Sequence, residues 1–172
     1  ILPIHRLLKC TQPLDPEIFA KDLSAYFEIE EVKDKTRFFF LMQKGGRTEH
    51  VLGAYIAGRY WLLRLQNIKI LDKLLPDKPK EYRSLDVSIL NALVLKKLLE
   101  IDLDDRSVLT FHPDAEELID IVNKNNSYIA FLLNPVKMEQ IMSVAVTGNK
   151  MPPKSTFFFP KVVSGLLVNS VE

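Results

Sequence analysis

Residues 108–146, VLTFHPDAEELIDIVNKNNSYIAFLLNPVKMEQIMSVAV, decide how the chain is read. Residues 108–111 form a short run of branched and aromatic side chains, which is strand character. Asp114 is a helix N-cap, and Ala115, Leu118, Ile119 and Val122 then share one helical face. Residues 128–133 are again a strand. Pro135 suits the first position of a helix over 135–146, with Met138, Ile141, Met142 and Ala145 on one face. Residues 156–159 and 166–171 add two more strands, the last returning through a turn at 160–165. Strand–helix–strand–helix–strand predicts parallel pairing with right-handed crossovers.

Nearer the N-terminus, Asp15, Pro16 and Glu17 open a helix over 16–27, with Phe19, Leu23, Tyr26 and Phe27 in one stripe. Residues 36–42, TRFFFLM, suit a buried strand or a buried helix equally. Residues 51–56 and 59–65 flank Ala57-Gly58 as a β-hairpin with Trp61 on its second strand. Residues 1–14 are a leading segment. Residues 67–83 are polar, contain Pro76 and Pro79, and form a loop or weak internal boundary. Asp86 caps a helix over 87–99 whose inner face is Val87, Leu90, Val94 and Leu98. The expected fold is therefore α/β, or α+β. It has one mixed sheet, partly parallel in its second half, with helices packed on it and an added hairpin, all in one domain over 1–172.

The 172 residues are 47% hydrophobic and 26% charged, enough apolar material for a core and too much for a disordered tail. Twenty-three basic residues nearly balance 22 acidic ones, so no nucleic-acid partner is expected. Cys10 is the single cysteine, which excludes an internal disulfide and fits a reducing compartment, with cytoplasm the default. No signal peptide and no membrane segment are read. The chain begins at Ile1 and not Met, which suggests a piece of a longer protein.

Walker, G-x-G-x-x-G, H-E-x-x-H, C-x-x-C and G-x-S-x-G patterns are absent, and no cofactor is specified. Three scattered histidines and one cysteine give no basis for a metal site. Asp102, Asp104 and Asp105 lack the glycine and distal glutamate of a calcium loop.

Residues 151–161, MPPKSTFFFPK, place Lys154, Ser155, Thr156 and Lys161 in a proline-stiffened segment that suits a phosphate or carboxylate. The plainer alternative is a tight connection with a solvated Lys154. His5-Arg6 offers an acid–base or anion-binding pair. His112 lies where a strand gives way to a helix, a place where open α/β sheets bind ligands, although capping by Asp114 accounts for that junction as well. Asp86 needs no role beyond its cap. If residues 156–159 ran parallel to the two strands before them, Lys154 and Lys161 would sit at opposite sheet ends.

Taken in order, Ile1-Leu2-Pro3-Ile4-His5-Arg6, Ser84-Leu85-Asp86-Val87-Ser88-Ile89-Leu90, Ala130-Phe131-Leu132-Leu133-Asn134-Pro135, the 151–161 segment and Ser164-Gly165-Leu166 resemble the C-terminal part of the domain of unknown function 1015 family of bacteria and archaea. The resemblance spans essentially the whole chain, and the 151–161 segment is its most specific part. It implies a preceding N-terminal part with further motifs, among them a Gly-His-His-Arg segment of the kind found in ParB-like nucleotide-using proteins. It also implies helix at 36–42. Ile4 departs from the threonine that relatives often carry there.

Two functions follow as expectations. The first is a binding or interaction module that completes or covers a site on the N-terminal part. The second is a share in a phosphate- or nucleotide-handling enzyme of small-molecule-kinase type. There a small anionic ligand would rest on Lys154, Ser155, Thr156 and Lys161, with His5 and Arg6 completing the site.

Overall fold

The computed structural model describes residues 1–12 and 14–160. The elements run β1 (His5–Lys9), α1 (Pro16–Ser24), β2 (Phe27–Val32), α2 (Lys35–Gly45), β3 (Val51–Ile56), β4 (Arg59–Leu65), α3 (Ile70–Leu74) and α4 (Lys80–Arg83). Then come α5 (Asp86–Ile89), which continues as a π-helical segment (Leu90–Leu98), β5 (Leu109–His112), α6 (Ala115–Lys124), β6 (Tyr128–Leu132) and α7 (Met138–Val146). The strands form one sheet in the order β2-β4-β3-β6-β1-β5.

Every strand pair is antiparallel, so the expected parallel second half is wrong. The reason lies in β1. Its residues pair with β5 on one side (Arg6 opposite Phe111) and β6 on the other (Arg6 opposite Phe131). The strands β5 and β6 do run the same way, as a strand–helix–strand unit requires, but β1 is inserted between them and opposes both. A partner about a hundred positions away leaves no trace in the local pattern. HRLLK, in the leading segment, carries two polar residues that the sheet buries.

Other boundaries shift for local reasons. The first helix stops at Ser24, and Tyr26 and Phe27 serve the turn and the start of β2 instead of its stripe. β2 is an edge strand, and two of its three glutamates are answered from β4, Glu31 by Arg59 and Glu30 by Arg64. Charged side chains of this kind protect an edge from further pairing. TRFFFLM is helical within α2, where Asp34 accepts a hydrogen bond from the Arg37 N–H at 2.7 Å. Asp86 does not cap, because the N-cap position belongs to Leu85. In the π-helical segment Leu90 and Ala92–Leu95 are all buried, a broader face than 3.6-residue spacing predicts. The last helix begins at Met138, not Pro135, and buries Val144, while Met138 and Met142 stay exposed. Of the expected strand at 156–159 there is a single antiparallel bridge, Leu2 to Phe157. The expected strand at 166–171 and Lys161 lie outside the described residues.

The sheet has two covered faces. On one, Phe19 and Leu23 of α1, Leu71 of α3 and the buried leucines of the π-helical segment cover Leu8, Leu63 and Phe131. On the other, Phe38 and Met42 of α2 and Leu118, Ile119 and Val122 of α6 cover Leu7, Leu62 and Leu132. The 67–83 stretch contributes Leu71 to the first of these cores.

The hairpin turn is of the mirror-image type, with φ +48° at Ala57 and +78° at Gly58. Alanine carries a left-handed penalty of about 1 kcal/mol there. Ala57→Asn is expected to raise stability in urea by a few tenths to about 1 kcal/mol. Unchanged or lowered stability would contradict this turn.

Candidate functional site

β1 begins at one end of the sheet, where β5 and β6 finish and β3 starts. His5 is paired there with His112, and the chain leaving β6 places Leu133 and Asn134 beside them. A cavity of about 10 Å³, room for one water, is lined among others by Ile4, Asp86, Leu133, Asn134 and Ser155. Four stretches far apart in sequence, each quoted above, meet at this point.

Arg6 is the unusual member of the cluster. Its side chain has 0% exposure, yet it sits in a strand between Phe111 and Phe131. One Nη donates to the carbonyl of Ile4, two residues back on the same face. Nε and Nη2 have no hydrogen-bond partner among the described residues, and no carboxylate pairs with the group. The guanidinium carbon lies 5.1 Å from the centre of the Phe111 ring. Burial alone brings its pKa down to about 10. Native structures seldom bury a charge without answering it.

His5, at 3% exposure, points to the opposite face, since strand residues alternate. It therefore does not complete a site together with Arg6, as was expected. Its Nδ1 accepts the Leu133 N–H at 3.1 Å, which puts the ring proton on Nε2. Desolvation, and then the charge of Arg6, bring its pKa down to about 4, so the ring is neutral at physiological pH. His112 is taken up by the end of its strand. Its Nδ1 accepts the Asp114 N–H at 3.1 Å, its Nε2 faces Glu117 at 3.2 Å, and Asp114 caps α6.

Asp86 reaches across to His50, Oδ1 to Nδ1 at 2.9 Å, with both side chains partly exposed. A carboxylate on Nδ1 leaves the other ring nitrogen free to accept a proton or a ligand. Asn134 ties this end of the sheet together, donating to the carbonyls of Met42 at 3.1 Å and Val51 at 3.3 Å. Its amide fills the space over Gly46, where a Cβ would meet Nδ2 at 2.2 Å. Ser155 is buried and donates to the Pro152 carbonyl, while Thr156 is half-buried. Lys154 is exposed and belongs to a neighbouring groove with Arg106 and Phe111.

Thus Asp86 and Ser155 line one small cavity at the sheet end where His5, Arg6 and His112 also lie, His5 and Arg6 on opposite faces, and Lys154 lies on the flank formed by β5. Two participants were missed from sequence. His50 had no signal except its place before a strand, and Arg106 none beyond its acidic neighbours. No group of three or more potential metal ligands occurs among the described residues, and no helix there is long and apolar enough to cross a membrane.

The protein is thus an antiparallel α+β module with a buried guanidinium at one sheet end that no carboxylate answers among the described residues. No protein-family model, curated protein or solved structure matches the chain.

Proposed function

We propose that this chain is a binding module for a compact oxyanion, phosphoryl or carboxylate, held by Arg6 at the end of the sheet. The observation that carries this reading is the fully buried guanidinium, two of whose nitrogens have no partner among the described residues. An incoming anion would supply the missing charge and acceptors together, and charge-assisted hydrogen bonds to arginine are the strong ones. The resemblance to the domain of unknown function 1015 family supports a larger context. In it the module completes or covers a site on an N-terminal part, in the cytoplasm, where Cys10 would stay reduced. A share in phosphate-handling catalysis is the second reading. The carboxylate-oriented His50 favours it, because that arrangement prepares an imidazole for proton transfer.

The test is thermal denaturation in inorganic phosphate against chloride at equal ionic strength. Phosphate at a hundred times its Kd is expected to stabilise the protein by about 2.7 kcal/mol. Identical curves in phosphate, acetate and chloride would remove the proposal. Phosphate-dependent turnover of a small-molecule acceptor that is lost in His50→Gln would favour the second reading.

A further inference from the structure

The flank of the site carries a second set of cations. The Arg106 guanidinium carbon lies 4.8 Å from the centre of the same Phe111 ring that Arg6 approaches to 5.1 Å. The two groups are therefore within about 10 Å of each other, a Debye length in 0.1 M salt. Phe111 also lines an open groove of about 340 Å³ with Arg106, Leu109, Thr110 and Lys154. Among the described residues neither Arg106 nor Lys154 is ion-paired. The adjacent Asp105 is occupied by Ser107, accepting its N–H at 2.8 Å and its hydroxyl at 2.6 Å. One half-buried ring thus joins a buried cation that has no anion among the described residues to an exposed groove with two more cations.

Resting on the oxyanion reading, we infer that the ligand carries two linked oxyanions, diphosphate being the simplest. One is held by Arg6 as the Phe111 ring turns aside. The other is held in the groove by Arg106 and Lys154. A single phosphate would answer the buried charge and leave the groove cations unused.

Calorimetric titration of the chain with pyrophosphate and with inorganic phosphate, at constant ionic strength, tests this. Wild type is expected to bind pyrophosphate at least about tenfold more tightly, a difference of about 1.4 kcal/mol. Arg106→Ala combined with Lys154→Ala removes two exposed side chains, so folding is expected to survive, as its thermal melt will show. That variant is expected still to bind phosphate, more weakly for the loss of two nearby cations, and to bind pyrophosphate no better than phosphate. Lys33→Ala with Lys73→Ala makes the same change in net charge elsewhere on the surface and is expected to keep the preference. If phosphate binds but the preference is absent, or survives in the groove variant, or is lost equally in the surface control, the two-anion inference falls and the single-anion reading stands. If neither ligand binds wild type, both fall.

Discussion

Arg6→Met is expected to make the protein more stable, by about 1 to 2 kcal/mol, while abolishing its response to phosphate. Burial lowers the guanidinium pKa to about 10 from its much higher ordinary value, which corresponds to about 3 kcal/mol against the charged form. That penalty is in full force at neutral pH, where the group is protonated in both the folded and unfolded chain. It is relieved only as pH climbs above about 10. Methionine removes it and keeps unbranched apolar volume against Phe111 and Phe131. The variant gives up the contact with the Phe111 face, about 0.5–1 kcal/mol, and the bond to the Ile4 carbonyl, about 1 kcal/mol. The balance remains favourable, and each kcal/mol moves Tm by about 2–4 °C at this size. A residue whose removal stabilises a fold but ends binding is there for binding. Destabilisation by 2 kcal/mol or more in Arg6→Met would show that the guanidinium is structurally satisfied, and the oxyanion reading would lose its basis.

The elements whose information is local could be read from the sequence. The hairpin around Ala57-Gly58, the Asp15 and Asp114 caps and the stripe Leu118, Ile119, Val122 each declare themselves within a dozen residues, and the structure has them all. What was not legible depends on pairing. HRLLK becomes a central strand only because β5 and β6 receive it, and its insertion turns an apparently parallel unit into an antiparallel one. The parallel expectation applied a sound rule for adjacent strands to strands that are not adjacent.

The candidate site divides along the same line. His5, Arg6 and Ser155 could be singled out from the sequence as candidate anion-binding residues, and Asp86 as a cap. That they meet at one sheet end, with His5 and Arg6 on opposite faces, follows from register and alternation. The expectation that Asp86 is only a cap failed because its partner, His50, comes from the start of another strand. Nothing between residues 50 and 86 announces that contact.

Acid should expose the other buried polar residue of β1. The His5 ring has a folded pKa of about 4 against an ordinary 6.5. Between those values the unfolded chain takes up a proton that the folded one refuses, so stability rises with pH across the window. The contribution is complete above about pH 6.5 and is lost progressively as pH falls towards 4, by about 3 kcal/mol in total. His5→Asn removes the titration, and its amide oxygen is placed to accept the Leu133 N–H. Urea denaturation at intervals from pH 7 to 4 should therefore fall more steeply for wild type than for His5→Asn, the gap closing by about 3 kcal/mol. His50 and His112, beside Asp86 and Glu117, are present in both proteins and cancel in the comparison. Parallel profiles would mean that the His5 ring is protonated in the folded protein at mild acidity. If His5→Asn does not fold, the ring nitrogens decide the matter by NMR. The neutral tautomer with its proton on Nε2 should persist to about pH 5, whereas a charged ring at pH 6 would overturn the assignment.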